Sequence, residues 1–276
     1  MLIIKKQESE YLKTLESKSI YIIREAYCKY RNQLALLWSI GKDSTTLLHL
    51  IRKAFFGTIP FYIIHLDTTY KFKAIYDFRD RYAKKYGLKL IVAKNDAALR
   101  EDISPEKGRY ECCNALKTEA LKQVAKKHHL KALLVGIRRD EHVIRAKERF
   151  YSTRNEDFKW DYQNQPFEMW AEYTDAQIAD SAHLRVHPLL HWREIDIWRY
   201  IKQERLPIVD LYFAKDGKRF RSIGCECCCQ PIVSSASSID RIISELTRTK
   251  IAERSGRAQD KEKAYMMQKL RSLGYM

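Results

Sequence analysis

Short apolar runs alternate along the chain with longer segments that have the periodicity of amphipathic helices. Runs with the length and composition of buried strands cover residues 34–38, 61–66, 88–93, 132–135 and 184–189. Helical spacing of leucine, isoleucine and aromatic residues covers 8–32, 45–56, 71–86, 115–129 and 192–201. Repeated strand–helix units of this length favour right-handed crossovers. The pattern therefore predicts an α/β fold with a parallel five-stranded sheet flanked by helices.

The same pattern divides the chain into two parts. We expect residues 1–204, including the N-terminal helix 8–32, to form a nucleotide-binding α/β domain. Residues 205–276 contain no repeat and hold four of the seven cysteines, so we expect a Cys-rich basic appendage that packs over the site. Within the first part, residues 136–182 are charged and have little periodicity. Such long connections in compact domains are usually functional or mobile.

The first predicted strand runs directly into a polar loop with the sequence Ser39-Ile-Gly-Lys-Asp-Ser44. Gly41 lets the backbone approach a ligand closely, and Ser44 is placed to cap the following helix. The free N–H groups of that helix start form an anion site that suits phosphate. Lys42 adds a mobile positive charge, and Asp43 is placed to hold a divalent ion that bridges phosphate oxygens. The loop of ordinary NTPases is absent, so this loop predicts a nucleotide site of another class; a polar turn without a ligand is the alternative.

Other predicted strands also end in polar residues or glycine. Asp67 follows the second strand, at the edge of the sheet where ligands bind in open α/β folds. Gly136 ends the fourth strand, and Arg138 and Arg139 come next. Guanidinium groups at that position are suited to clamp an α-phosphate or a transferred group. The alternative is a solvated run of charges.

Composition and charge further restrict the class of protein to which the chain can belong. A 276-residue chain that is 45% hydrophobic supplies an ordinary core, and no apolar run approaches a membrane span or the apolar stretch of a signal peptide. Seven cysteines in two clusters do not fit a secreted disulfide framework, so we expect a cytoplasmic protein with thiols kept for metal or sulfur chemistry. The net charge of +16 favours polyanions such as DNA, modestly ahead of a Lys-rich surface around an ATP site. No nucleic-acid reader motif is found.

Motifs along nearly the whole chain resemble a known family. They are SIGKDST at 39–45, HLDTTYKF at 65–72, RRDE at 138–141, RAKERFYS at 145–152, WREIDIWRYI at 192–201, RxxGC at 221–225 and ERSGR at 253–257. The loop resembles the PP-loop of enzymes that cut ATP between its α and β phosphates. The whole set resembles the small, nucleotide-binding subunit of bacterial sulfate adenylyltransferase, in the PAPS reductase superfamily.

This resemblance implies an adenine-nucleotide α-hydrolase fold, ATP and Mg²⁺ at the strand ends, and release of pyrophosphate. The residues that it implies for the phosphates are Ser39, Gly41, Lys42, Asp43 and Ser44. The residues expected along the rest of the nucleotide are Asp67, Thr68, Gly136, Arg145 and Lys147. The expected catalytic residues are Lys42, Asp43, Arg138 and Arg139.

The cysteines depart from the pattern of that subunit. Cys112-Cys113 followed by Cys225-x-x-Cys228 resembles the iron–sulfur ligand set of adenylylsulfate reductases. Four thiolates suit a [4Fe–4S] cluster, which we predict, or zinc; the further alternative is no metal. Two cysteines that remain in the turn could carry sulfur as a persulfide or could simply be buried neighbours: Cys227 and Cys229.

An adenylylsulfate reductase also needs a cysteine near its C-terminus, and no cysteine follows Cys229. The intact loop, the thiols and the basic exterior together resemble the PP-loop component of DNA phosphorothioation systems, which act in antiphage defence. The predicted function is therefore an ATP pyrophosphatase that adenylylates a DNA backbone phosphate so that sulfur can replace oxygen. Its expected partners are DNA, a cysteine desulfurase and other DNA-modification subunits, without a membrane. The alternatives are a sulfate adenylyltransferase subunit with a GTPase partner, a tRNA thiolase and a DNA-binding nucleotide sensor.

Overall fold

The fold is built on a six-stranded sheet. The computed structural model describes residues 2–163, 165, 168, 183–258, 269, 270 and 272. The strands of the large sheet are β1 (Leu34–Leu37), β2 (Tyr62–Leu66), β3 (Leu90–Ala93), β4 (Ala132–Val135), β5 (Tyr151–Arg154) and β6 (His183–Val186). Their spatial order is β3-β2-β1-β4-β6-β5. All neighbours are parallel except β5, which pairs antiparallel with β6.

The strand order places a ligand crevice beside β1. The chain moves from β1 outward to β2 and β3, and then returns to the other side of β1 as β4. In the resulting register, Leu36 of β1 lies between Ile63 of β2 and Leu134 of β4. Ligands in open α/β sheets bind at such a switch point, outside the carboxyl ends of the two strands. The carboxyl end of β1 carries the polar loop, and the carboxyl end of β4 carries Gly136.

The helices cover the sheet and agree broadly with the sequence periodicity. Before β4 they are α1 (Leu2–Tyr30), α2 (Lys42–Ala54), α3 (Lys73–Lys85), α4 (Asp96–Arg100), α5 (Arg109–Cys113) and α6 (Ala120–Lys127). A π-helical segment, Asn114–Glu119, joins α5 to α6. The helix predicted over 115–129 therefore begins earlier, at residue 109, and includes both cysteines. Between β3 and α5, where the periodicity predicts no helix, α4 also forms.

The later part of the chain adds smaller elements. Two helices, α7 (Glu194–Glu204) and α8 (Ile239–Leu246), lie in contact with each other. Between them β7 (Lys218–Arg219) pairs antiparallel with β8 (Ile232–Val233). Short 3-10 turns at Asp210–Tyr212 and Glu253–Gly256 come after residue 205. No helix among the described ranges is long and apolar enough to cross a bilayer.

The predicted α/β class is confirmed, and all five predicted strands are found parallel in the sheet. The prediction of only five strands was wrong, because β5 forms inside the segment that was predicted to be a loop. Its sequence, Tyr-Ser-Thr-Arg, has no apolar pattern, yet all four residues are buried. Burial is possible since Arg154 is paired with Glu148 at 3.1 Å and also donates to Ser152 Oγ at 2.7 Å. A polar strand of this kind escapes a search for hydrophobic periodicity.

Leucines of β1 make the sheet core, because this strand is buried on both faces. Leu36 is completely buried, and we expect Leu36→Ala to lower the free energy of unfolding by about 2–5 kcal/mol through the cavity that it leaves. Chemical denaturation followed by circular dichroism measures this loss. Val233→Ala is the control, since that side chain is 87% exposed and should change stability by less than about 0.5 kcal/mol. Equal effects of the two changes would contradict the assignment of the core.

Candidate active site

The loop between β1 and α2 holds an unusual backbone conformation. Ile40 adopts φ +67°, in the left-handed region that β-branched residues avoid. Such a conformation persists only where the surrounding structure enforces it, and it is typical of binding loops. Gly41, in contrast, has extended backbone with φ −70° and precedes the first residue of α2. The positive φ of this loop thus lies at Ile40 and not at its glycine.

Ser44 does not cap α2, so this part of the sequence prediction was wrong. The helix begins at Lys42 with Gly41 as its N-cap, and Ser44 is already the third helical residue. Its hydroxyl lies 3.1 Å from Ser39 Oγ and donates to the Gly41 carbonyl at 3.2 Å. The backbone N–H of Lys42 donates to the Tyr212 hydroxyl at 2.9 Å. The helix start therefore faces a polar pocket, as an anion site requires.

Gly136 brings the end of β4 against the start of α2. A Cβ at this position would lie 3.1 Å from both the Cα and the N of Ser44, and 3.2 Å from the carbonyl carbon of Asp43. Backbone atoms cannot move aside as a flexible side chain can. A side chain here would push the start of α2 away from the end of β4 by a few tenths of an ångström, so glycine permits the observed close approach.

A cavity of about 100 Å³ opens at this switch point. Charged side chains from the whole length of the chain line it: Lys42, Asp43, Lys71, Lys117, Glu141, Arg145, Glu253, Arg254 and Arg257. The lining also includes Ser39, Gly41, Ser44, Gly136 and Tyr212. Six cations against three carboxylates give the cavity a positive balance, which suits a polyanionic ligand.

The charges at the phosphate loop form a connected group, the loop charge cluster, made of Lys42, Asp43, Arg138, Asp140 and Glu253. Lys42 Nζ lies 3.2 Å from Asp43 Oδ2 and also pairs with Glu253 Oε1. Arg138 is fully buried; its Nε lies 3.0 Å from Asp43 Oδ1, and its other nitrogens pair with Glu253 and, at 3.5 Å, with Asp140. Burial disfavours a charged lysine, but the two carboxylates outweigh it and raise the pKa of Lys42. Lys42 stays protonated at neutral pH.

A second carboxylate organises the arginines further along the cavity. Glu141 pairs with Arg145 through Oε2 and with Arg254 Nη1 through Oε1 at 3.3 Å. Burial disfavours the Glu141 carboxylate, yet these arginines hold its pKa well below the usual range. Glu141 is therefore ionised and fixes both guanidinium groups at the cavity.

Three other cations, Lys71, Lys117 and Arg257, form the cationic cluster of the cavity. Lys117 and Arg257 are buried and Lys71 is half-buried. Loss of contact with water, together with the positive charges of Lys117 and Arg257, lowers the pKa of Lys71. A lysine in such a field is stabilised by an added anion. The cationic cluster is thus suited to bind a small, doubly charged anion.

Several residues predicted for the nucleotide lie near the cavity without lining it in the described part of the chain. Arg138 pairs with Asp43 and Glu253, as described above, and Arg139 lies 3.8 Å from Glu168 and over the Phe150 ring. Lys147 is exposed. These arginines and this lysine remain predictions for contact with the α-phosphate.

Asp67 and Thr68 are buried at the end of β2 in other contacts. The Asp67 carboxylate accepts from the Thr69 N–H and the Tyr76 hydroxyl, each at 2.9 Å, and pairs with Lys94 at 3.1 Å. Burial opposes its charge, but these donors lower the pKa of Asp67. Thr68 Oγ1 lies 3.2 Å from Cys225 Sγ. Both residues connect the sheet edge to its neighbours, and their predicted nucleotide contacts remain untested.

The four cysteines of the predicted ligand set are buried in one region. Burial and the neighbouring Cys113 raise the pKa of Cys112 to about 12, with Cys225 and Cys228 also acting on it. Burial opposes ionisation of Cys225 too, but Lys117, Lys71 and the Thr68 hydrogen bond lower its pKa to about 7. Their thiol chemistry suits an iron–sulfur cluster or zinc. Across the described ranges, however, no three Cys, His, Asp or Glu side chains are arranged to hold a metal ion.

The two remaining cysteines of the turn differ in their surroundings. Cys227 is exposed; partial burial and Cys228, 3.8 Å away between sulfur atoms, raise its pKa to about 12. A thiol of that kind is a weak nucleophile. Cys229 is buried, and its sulfur accepts from the Gly224 N–H at 3.0 Å and from Arg257 at 2.7 Å. Cys229 thus contacts a residue of the cationic cluster.

Sequence reasoning missed several residues of the cavity. Lys71 and the group Glu253, Arg254 and Arg257 lie inside the motifs HLDTTYKF and ERSGR, so the motifs located them without giving them a role. The sequence feature that marked Lys117 was its position on a predicted basic helix, which does not indicate a binding site. The segment after β2, the π-helical segment after β3 and the turn after α8 must all fold onto the switch point before these charges meet.

Comparison with known proteins agrees with this geometry. The family model described as phosphoadenosine phosphosulfate reductase domain matches residues 33–231. The chain belongs to this family, within the PP-loop superfamily, and is an ATP-utilising enzyme of that class.

Two of the similar curated proteins illustrate the relationship. Sulfate adenylyltransferase subunit 2 of Psychromonas ingrahamii is 41% identical over 303 residues, covering 99% of this chain and 100% of that protein. The protein of the same name from Aeromonas salmonicida is 39% identical, covering 99% and 97%. These relatives favour the function that the sequence analysis ranked second. They give no support to DNA, a cysteine desulfurase or antiphage defence.

Solved structures confirm the fold. Phosphoadenylyl-sulfate reductase from Candida auris superposes with a TM-score of 0.54 at 18% identity, covering 81% of this chain and 97% of that one. FMN adenylyltransferase of Candida glabrata with ATP gives 0.54 at 21% identity, covering 82% and 64%. The U34-tRNA thiolase NcsA of Methanococcus maripaludis, with its [4Fe–4S] cluster, gives 0.52 at 14% identity, covering 96% and 77%. At these identities the likeness concerns the fold.

Proposed function

We propose that this protein transfers the adenylyl group of ATP to inorganic sulfate and so makes adenylylsulfate and pyrophosphate. One observation carries the proposal: the cationic cluster of Lys71, Lys117 and Arg257 lies in the same cavity as the phosphate loop. The loop suits the leaving pyrophosphate, and the cluster suits a tetrahedral dianion. The name shared by the similar proteins supports sulfate as that dianion.

The reaction is a displacement at the α-phosphorus. A sulfate oxygen forms the new bond to phosphorus, the bond to the bridging oxygen of the β-phosphate breaks, and pyrophosphate leaves with the electron pair. No redox change occurs, and a sulfate dianion needs no base. The positive end of the α2 dipole and the Lys42 ammonium stabilise the departing charge, and Arg145 and Arg254 face the cavity where charge develops at phosphorus.

Asp43 fits a role with Mg²⁺. Its carboxylate lines the cavity beside Ser39 and Ser44, and oxygen donors are those that Mg²⁺ prefers. When bound, Mg²⁺ neutralises phosphate charge. The chain supplies the carboxylate and the helix start that orient the triphosphate. We also include a partner subunit in the proposal, because the similar proteins are named as second subunits.

Radiolabelled or enzyme-coupled pyrophosphate assays test the proposal with ATP alone, ATP and sulfate, or ATP and DNA. We expect release that depends on sulfate and on Mg²⁺. The reverse direction, ATP formation from adenylylsulfate and pyrophosphate, gives an independent readout. Pyrophosphate release that depends on DNA and is unaffected by sulfate would favour phosphorothioation. The absence of release under all three conditions would point to a nucleotide sensor.

We propose separately that Cys112, Cys113, Cys225 and Cys228 hold a [4Fe–4S] cluster, with zinc as the alternative. Support comes from the chemistry of the four buried thiols and from their common location. Because they are not arranged as ligands in the structure, no step of the adenylyl transfer is assigned to a metal at this site.

Purification without oxygen is expected to give a brown protein with about four iron and four sulfide per chain. Cys225→Ser should lose most of this iron, whereas Cys28→Ser should keep it, since Cys28 is an exposed thiol on α1. Iron and sulfide analysis with the visible spectrum measures both. Stoichiometric zinc in colourless protein would establish the alternative, and metal-free anaerobic protein would refute the site.

A further inference from the structure

Carboxylates close to the phosphate loop offset its positive side chains. In the loop charge cluster, two cations, Lys42 and Arg138, face three carboxylates, Asp43, Asp140 and Glu253. Lys42, Arg138 and Glu253 are buried, so their charges interact strongly and are weakly screened by salt, whereas Asp43 is half-buried and Asp140 is exposed. The side-chain charges at the phosphate loop therefore do not by themselves attract a free anion.

Glu253 is the most deeply buried carboxylate of the loop charge cluster. Its side chain is 4% exposed, and its two oxygens bind different cations, Oε1 with Lys42 and Oε2 with Arg138. Burial opposes its charge, but Arg138 and Lys42 lower the pKa of Glu253, which keeps it ionised. It belongs to the turn Glu253–Gly256, whose next residues include Arg254 and Arg257 of the cavity. One short turn thus brings a carboxylate to the loop and guanidinium groups to the rest of the cavity.

The cationic cluster has the opposite character. Its three cations, Lys71, Lys117 and Arg257, line the same cavity as the phosphate loop. The charge network of Lys42 is dominated by other groups, namely Asp43, Glu253, Arg138 and Glu194. The cavity is therefore polarised, with a carboxylate-rich region at the loop and a cation-rich region at the cluster.

We propose that Glu253 is a specificity-determining residue that sorts anions within the cavity. Its carboxylate keeps free anions out of the phosphate loop, so that the loop takes a triphosphate only together with a divalent cation. The acceptor anion is left to the cationic cluster. This inference rests on the proposed function, because it places ATP at the loop and the acceptor at the cluster.

Glu253→Gln removes the charge and keeps the size and the acceptor oxygen of the side chain. Binding of ATP in EDTA should then become about tenfold tighter than in the wild type, since one nearby buried negative charge is lost. Binding of Mg–ATP should change less. The ratio of the affinity for Mg–ATP to the affinity for ATP in EDTA should therefore fall. Excess sulfate should compete with Mg–ATP in the variant but not in the wild type, with sodium chloride matching the ionic strength.

Isothermal titration calorimetry of the full chain measures these affinities. Glu245→Gln is the matched control, because Glu245 pairs with Arg219 at 2.6 Å in the later part of the chain and lies outside the residues that line the cavity. In that variant, the ratio of the affinity for Mg–ATP to the affinity for ATP in EDTA should equal that of the wild type. Sulfate should not compete with Mg–ATP.

The wild type alone also tests the proposal. If it binds ATP in EDTA as tightly as it binds Mg–ATP, the proposal is overturned whatever the variant does. It is equally overturned if a folded Glu253→Gln protein binds metal-free ATP no better than the wild type. Both results concern binding and need no turnover, so they are distinct from a failure to find sulfate-dependent pyrophosphate release, which would overturn only the proposed acceptor.

Discussion

Replacing Lys42 with alanine is expected to lower kcat/KM for pyrophosphate release by a factor of about 10²–10³. The ammonium group is held at the start of α2 by Asp43 and Glu253, where it meets the charge of the departing pyrophosphate. Because this charge is larger in the transition state than in bound ATP, kcat should fall more than the affinity for ATP. Steady-state kinetics with calorimetry of ATP binding separates the two effects.

Lys73→Ala is the matched control for this change. Lys73 is the first residue of α3, as Lys42 is of α2, but its side chain is 87% exposed and pairs only at the surface with Asp77, at 2.7 Å. Its loss should leave kcat/KM within about twofold, because exposed ion pairs contribute little. If Lys42→Ala kept activity close to that of the control, the assignment of the phosphate loop would be wrong.

Lys71→Met is expected to raise the sulfate concentration for half-maximal activity by a factor of about 10–100. This range corresponds to the loss of about 1.5–3 kcal/mol from a hydrogen bond between charged groups. Methionine keeps the apolar stem of the side chain, so the cavity stays filled. The affinity for ATP should change by less than about threefold, because Lys71 belongs to the cationic cluster and not to the loop charge cluster. Initial rates over a sulfate titration give the value.

Lys94→Met serves as the control for Lys71. This lysine also follows a strand, but it pairs with Asp67 at 3.1 Å and lies outside the residues lining the cavity. It should leave the sulfate dependence unchanged. A variant of Lys71 that lost ATP affinity and kept its sulfate dependence would place the lysine on the nucleotide instead of the acceptor.

The sequence was sufficient to predict the strands and helices whose buried side chains are apolar. The parallel strands and the helices between them could be predicted, because Leu, Ile and Val mark both faces of a buried strand. The edge strand β5 could not be predicted, since its burial depends on the pairing of Arg154 with Glu148. The π-helical segment after Cys113 is also invisible to periodicity, because it changes the register of a helix that otherwise looks regular.

The site was predicted in part for a similar reason. The phosphate loop is local, so Lys42 and Asp43 could be found from a single stretch of chain. The cationic cluster and Glu253 come from segments that are more than 40 residues apart and meet only at the switch point of the sheet. Charge runs are usually solvated surface, and only the fold shows which of them are buried at a ligand cavity. The sequence analysis ranked DNA ahead of sulfate as the acceptor because of the basic composition and the cysteines, whereas the similar proteins favour sulfate.

A structure determined with the analogue α,β-methylene-ATP, Mg²⁺ and sulfate tests most directly that one cavity joins the donor and the acceptor. The account predicts that the β and γ phosphates lie at the start of α2 beside Lys42, and that sulfate contacts Lys71, Lys117 and Arg257. A triphosphate bound away from Lys42, or a sulfate seated in the phosphate loop with the analogue elsewhere, would contradict it.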